Sequence, residues 1–352
     1  MVVAQTINSY FAASVPRIEE EMRRILNGIS LGNVFTSSGP LPALFNTMMN
    51  YHVGFSDADG TPTQVYSGKR IRPVLTLLAC EAAGGTLETA LPAAVAIELL
   101  HNFSLIHDDI EDRDEIRRGR PTLWKLWGDA QAINAGDAMF ALAHTALEQL
   151  YERGLEPLRI LRALRAFDQA AVALTVGQHM DLSFVVRPDV QVSEYMTMVQ
   201  GKTGALIQAA CAIGAHIGGA LDECTQALAS FGAWLGVAFQ LQDDVLGIWG
   251  NPQVTGKQDS DLSHRKRTLP VLYAAEQNER VRELYLMRDW NSAADLLVVR
   301  ELIEASGARE YTQQAALDAY TRSLQALDAA QVDHPSGTLL RQLAQSLMDR
   351  EA

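Results

Sequence analysis

Apolar residues recur at helical spacing along most of the chain, and nowhere alternate as they would in a half-buried strand. The spacing predicts an amphipathic helix over Ile7 to Leu26, with Ile18, Met22 and Ile25 on its apolar stripe. It predicts a short one over Leu41 to Tyr51 and another over Val74 to Ala83, ended by Gly84-Gly85. Leu91 to Ile110 is a long apolar segment with no Gly and no Pro after Pro92, which reads as a buried helix. After the polar segment Arg113–Arg120, Pro121 opens a short helix carrying Trp124 and Trp127. Asp129 and Ser193 read as N-caps of an Ala-rich helix to Leu150 and of Glu194 to Val199. Glu156 to Phe184, Ala205 to Ile217, Asp222 to Trp249, Thr268 to Gln277, Asn291 to Ala305, Ala308 to Ala329 and Leu339 to Arg350 complete the helices. Residues 27–40, Val53 to Gly68 and Asn251 to Ser263 read as loops, and Gly201-Lys202-Thr203-Gly204 as a break between helices. The expected fold is all-α, a bundle of long helices around an elongated core. No composition break marks a linker, so one domain over residues 1–352 is expected.

The buried helix ends in Ser104-Leu105-Ile106-His107-Asp108-Asp109-Ile110-Glu111-Asp112. On a helix Asp108 and Asp112 share a face one turn apart. Carboxylates at a helix C-terminus oppose the negative end of the macrodipole, so a positive partner is expected there. Hard oxygen donors on one face suit Mg²⁺, which keeps waters and completes its shell with substrate phosphates. A second pair, Asp243-Asp244, follows another Gly-free apolar run, Val237 to Leu241. Cations cluster at Lys69-Arg70-Arg72, Arg117-Arg118-Arg120 and His264-Arg265-Lys266-Arg267, although the formal net charge is −13. That balance argues against a nucleic-acid partner and points the clusters at small anionic ligands. Lys69 and Arg72, at i,i+3, would both reach one phosphate from a helical turn.

Hydrophobic content of 48% over 352 residues supplies a sizeable core. Cys80, Cys211 and Cys224 lack metal-ligand spacing, and the first two lie in apolar helical patterns, so a reducing, cytoplasmic compartment is expected. Met1 to Val15 has neither the basic start nor the apolar stretch of a secretory signal, and no run of eighteen apolar residues suggests a bilayer span.

Several separated motifs, in order, carry a resemblance. Gly68-Lys-Arg-Ile-Arg-Pro, the Asp108/Asp109/Asp112 motif followed by Arg-Arg-Gly-Arg-Pro-Thr, Gly201-Lys-Thr-Gly, and Phe239-Gln-Leu-Gln-Asp-Asp followed by Thr255-Gly-Lys resemble the trans-isoprenyl diphosphate synthases, the short-chain polyprenyl synthetase family. The resemblance runs from about Gly68 to Pro270. It implies an isoprenoid-synthase helical bundle around a central cavity, usually a homodimer. It also implies a reaction: Mg²⁺, as three ions once substrate is bound, assists ionisation of an allylic diphosphate. Isopentenyl diphosphate then attacks the carbocation and a proton is lost to the released pyrophosphate.

By the same resemblance Asp108, Asp112 and Asp243 ligate Mg²⁺, with Asp109 and Asp244 beside them. Arg117, Lys202, Lys257 and Lys266 hold the allylic diphosphate, and Lys69, Arg72, His101 and Arg118 the isopentenyl diphosphate. Thr203 and Gln240 place oxygens near the carbocation, while Gln178 and Asp181 support them. The second acidic motif departs from the family pattern, with Gly247 where a last Asp is usual; Asp259 or Asp261 would compensate. Phe103, five residues before Asp108 and about 7.5 Å along the axis, resembles the floor that stops elongation. With Ser104 small beside it, geranylgeranyl diphosphate is the expected product and farnesyl diphosphate the alternative. A terpene cyclase shares the fold and the first motif, but has no need of Lys69, Arg72 and Arg118 for a second diphosphate. A non-catalytic subunit of a synthase would lose its Asp motifs.

Overall fold

The computed structural model describes residues 6–28, 42–63, 65, 68–250, 262, 265–287, 293–332 and 335–349. The expected loops at 27–40 and 251–263, with Lys257, Asp259 and Asp261, lie mostly or wholly outside them. The described residues are overwhelmingly helical. The chain forms two compact units. One comprises Met1–Phe167, Ala210–Asp222 and Asp333–Leu339; the other comprises Asp168–Ala209, Glu223–Val332 and Leu340–Ala352.

The first unit opens with α1 (Ile7–Asn27), where Thr6 and Ser9 form a reciprocal capping box. Then come α2 (Ala43–His52), α3 (Ile71–Ala82) and α4 (Leu87–Glu111). α4 is buried on all sides from Ala90 to Leu100, as its apolar composition requires. It meets the length and hydropathy of a bilayer span, but most of its apolar stretch is enclosed by the protein, as in a core helix. Pro92 falls in its second turn, where few backbone donors are displaced. α3 starts at Ile71, earlier than expected, because Pro73 is accommodated in the first turn. Lys69 therefore precedes the helix, and the expected helical pairing with Arg72 gives way to a left-handed residue, Arg70 (φ 50°), between them.

The segment after α4 is not merely polar. Ile116–Arg117 (β1) pairs antiparallel with Arg120–Pro121 (β2), and Arg118 (φ 52°) with Gly119 (φ 76°) makes the turn. α5 (Leu123–Trp127) and α6 (Asp129–Glu152) follow. Gly128, not Asp129, occupies the N-cap of α6, and the Asp129 carboxylate pairs instead with Arg113 at 2.8 Å. α7 spans Pro157–Phe184, and its residues from Asp168 on belong to the second unit.

In the second unit α8 (Val192–Val199) is capped by Gln191 and Glu194, not Ser193. The Gly201–Gly204 stretch does not break the chain. It is a widened π-helical turn, Gln200–Gly204, running directly into α9 (Ala205–Gly218). α10 spans Asp222–Trp249, as the sequence predicts. Leu269–Gln277, Ala293–Ala305 and Ala308–Ala329 follow, Pro335–Met348 begins in the first unit and ends in the second, and the helical turns Glu279–Val281 and Arg282–Met287 were not foreseen.

Glycines explain why the widened turn sits where it does. A Cβ on Gly236 of α10 would lie 2.7 Å from Gly204 Cα, and one on Gly177 of α7 would overlap the Lys202 backbone nitrogen. Gly236→Ala would gain up to about 1 kcal/mol of helix propensity. The forced separation of two backbones costs about 1–3 kcal/mol. Net destabilisation is therefore expected, read as a lower urea midpoint with an unchanged slope.

Candidate active site

In the first unit the acidic motif closes α4. Asp112 is the C-cap, its N–H donating to the Asp108 carbonyl at 2.8 Å, so the one-turn relation between the two holds. Asp109 is buried, and Arg117 Nε donates to its Oδ1 at 2.6 Å, while Arg117 Nη2 reaches Asp108 Oδ2 at 3.4 Å. The positive partner expected at this helix end is thus the first strand of the hairpin. Burial pushes the Asp109 carboxyl up to about 6, against the opposing pull of Arg117. Its Oδ2 is buried and has no hydrogen-bond partner among the described residues.

Beside this motif lies a cationic group. Arg72 Nη1 donates to His101 Nε2 at 3.3 Å. Arginine only donates, so Nε2 is an acceptor and the imidazole proton sits on Nδ1. Arg118 acts electrostatically on His101 as well, and the backbone of Gly68 (φ 117°) adopts a conformation that L side chains rarely take, which explains the glycine before Lys69. Lys69 is exposed. Arg70, in the middle of the basic motif, is structural: Nη1 donates to buried Glu98 at 2.6 Å and Nη2 to the Val53 carbonyl at 3.0 Å. Its buried charge is paired and hydrogen-bonded, the condition for tolerating it.

His101 and His52 both sit among these arginines. Burial first, then the neighbouring guanidinium charges, holds both imidazoles well below the ordinary value. Both stay neutral in the fold and gain protons near pH 6.5 on unfolding. The unfolded chain then binds more protons, so this contribution is present above pH 6.5 and is lost as pH falls. Each imidazole costs about 1.4 kcal/mol per pH unit below that point. Asp109 acts oppositely, since its raised value favours the fold as acid is added. Urea titrations at pH 7.5 and 5.5 are expected to show a smaller acid loss in His52→Gln than in the parent chain.

Under the acidic motif, aromatic rings of the first unit, carried by α4, α6 and the start of α7, pack together. Phe103 lies 5.1 Å from Phe140 of α6, centroid to centroid, and Phe140 lies 6.2 Å from Phe167 of α7. His107 and His144 pack on Phe103 and Phe167 at 4.7 and 4.9 Å. Ser104 turns its hydroxyl back to the His101 carbonyl. Phe140 and Phe167 carried no motif and were not anticipated.

In the second unit, Lys202 Nζ donates to Asp181 Oδ2 at 2.5 Å. Thr203 Oγ1 donates to Gln240 Oε1 at 2.9 Å, and Gln240 Nε2 donates to Asp244 Oδ1 at 3.1 Å. Asp244 was expected beside Asp243 as a metal ligand. It is instead 2% exposed and also accepts from Tyr195 Oη and from the Leu269 N–H at 3.2 Å, so its oxygens serve the protein interior. Asp243 is half-buried on α10, and Lys266 is exposed.

Among the described residues no three carboxylate, imidazole or thiol groups converge on one point. Mg²⁺ does not demand such a cage; it takes one or two carboxylates and fills its shell with water and phosphate oxygens. The all-oxygen donor set of the first motif and the orphaned buried Asp109 Oδ2 fit that habit.

The family model for polyprenyl synthetase matches residues 61–304, and the chain belongs to that family. It is similar to (2E,6E)-farnesyl diphosphate synthase of Mycobacterium tuberculosis, at 42% identity over 87% of this chain and 86% of that one. It is also similar to geranylgeranyl diphosphate synthase of Methanosarcina mazei, at 40% identity over 81% and 86%. A crystal structure of polyprenyl synthetase from Streptomyces coelicolor A3(2) superposes with a TM-score of 0.85 at 37% identity, covering 97% of this chain and 99% of that one. The chain is a prenyl transferase with the all-α fold of its relatives.

Proposed function

We propose that the protein condenses isopentenyl diphosphate with an allylic diphosphate and releases geranylgeranyl diphosphate. The observation that carries the reading is the Arg72–His101–Arg118 group beside the acidic motif. A second diphosphate needs cations of its own, whereas a cyclase handles only one. Lys69 joins this group for the isopentenyl diphosphate. Arg117, Lys202, Lys257 and Lys266 take the allylic one.

Asp108, Asp112 and Asp243 would hold Mg²⁺, which would supply charge neutralisation for the departing diphosphate. The allylic C–O bond breaks and the electron pair leaves with the diphosphate. Thr203 and Gln240 face the cation with oxygen rather than a stronger nucleophile that would be alkylated. The isopentenyl double bond forms the new C–C bond, and the released pyrophosphate accepts the proton. Asp259 or Asp261 stands in for the carboxylate missing at Gly247.

The Phe103–Phe140–Phe167 ring cluster supports a floor below the acidic motif, and with it the reading of a twenty-carbon product. Farnesyl diphosphate is the second reading, favoured by the Mycobacterium tuberculosis relative of that name. We propose a single cytoplasmic catalytic domain acting as a homodimer, with exposed Leu158, Leu161, Val172 and Val176 on α7 suited to the subunit interface. The test incubates purified protein with Mg²⁺, labelled isopentenyl diphosphate and dimethylallyl, geranyl or farnesyl diphosphate. Extended prenyl diphosphates ending at twenty carbons support the reading. Cyclic hydrocarbons, or no product from any starter, overturn it.

A further inference from the structure

We propose that Tyr195 is a positioning residue: acting through Asp244, it fixes the amide of Gln240 with its oxygen toward Thr203. The inference rests on the role just given to Gln240.

A carboxylate accepts hydrogen bonds, and Asp244 faces donors from three helices. Tyr195 Oη comes from α8, the Leu269 N–H from the start of Leu269–Gln277, and Gln240 Nε2 from one turn earlier on α10. The Leu269 amide is one of the first-turn donors that no helix satisfies internally, so the bond also fixes that helix end to α10. Tyr195 is 2% exposed, so the bond from its hydroxyl to Asp244 is made away from water.

With Asp244 pinned from two sides, Gln240 must present its NH₂ to it. The Gln240 oxygen then points the other way, where Thr203 Oγ1 donates to it at 2.9 Å. A flipped amide would set oxygen against carboxylate and turn NH₂ toward the place a cation develops. That reverses the sign of a dipole whose negative end is needed there. Tyr195 touches no substrate in this scheme; it decides which end of Gln240 does.

The test is steady-state kinetics of Tyr195→Phe at saturating Mg²⁺, with geranyl diphosphate and labelled isopentenyl diphosphate. We expect kcat to fall about tenfold, with both KM values and the half-saturating Mg²⁺ within about twofold of the parent. In a Gln240→Leu background, Tyr195→Phe should cause no further loss, since its effect passes through the amide. Multiplicative losses would assign Tyr195 a general structural role and overturn the proposal. A raised Mg²⁺ requirement would also overturn it, by placing Asp244 among the metal ligands. Asp244→Asn probes the lock from its other side and is expected to lower kcat at least as far, again with no further loss in the Gln240→Leu background. An inactive parent chain would refute the reaction itself, whereas an active parent with an unaffected Tyr195→Phe refutes only the lock.

Discussion

Asp108→Ala is expected to lower kcat by about a thousandfold or more at saturating Mg²⁺. Charge neutralisation of the leaving diphosphate supplies several kcal/mol, and each 1.36 kcal/mol is about a factor of ten in rate. The fold should not suffer with it. Four carboxylates at the end of α4, Asp108, Asp109, Glu111 and Asp112, oppose the helix dipole, so losing one is neutral or stabilising by about 0.5 kcal/mol. Arg117 keeps its 2.6 Å bond to Asp109. Activity collapsing at an unchanged melting temperature is therefore the signature of a functional carboxylate. Activity within tenfold of the parent would remove Asp108 from the metal site.

Phe103→Ala is expected to move the main product beyond twenty carbons. The change removes a six-carbon ring from beneath the acidic motif, and each elongation adds a five-carbon unit, so the freed space suits about one further unit. Phe103 is only partly buried, so the loss of stability should fall below the roughly 3–5 kcal/mol of a fully buried Phe→Ala. Phe140 and Phe167 still stand behind the vacated position, and lengthening should stop after one or two additions. Mass analysis of the extracted diphosphates decides it. An unchanged product distribution would make Phe103 ordinary core.

The sequence revealed these two sites unequally. α10 was legible to the residue, because a long periodic run is bounded by polar and Gly-containing stretches. The acidic motif was legible because four carboxylates ending an apolar helix demand a cation. The turn at Gln200–Gly204 was misread, since two glycines four residues apart look like a break unless the neighbouring backbones they admit are known. Gly128 and Gln191 took the capping positions that Asp129 and Ser193 would ordinarily claim. Arg70 looked like another phosphate ligand, yet its partner Glu98 lies on a different helix and carries no local signal. Tyr195 and Phe140 escaped notice for the same reason, because their importance comes from neighbours remote in the chain.

The glycine contacts around the widened turn bear on attempts to redesign the enzyme. Where Gly204 meets Gly236 and Gly177 meets Lys202, main chain lies against main chain with no side chain between. Library mutagenesis aimed at new starter units would find few tolerated variants there, because there is nothing to trim or enlarge. The locations of Lys202 and Thr203 are in effect hard-wired, and the adjustable part of the protein is the ringed wall that Phe103 begins.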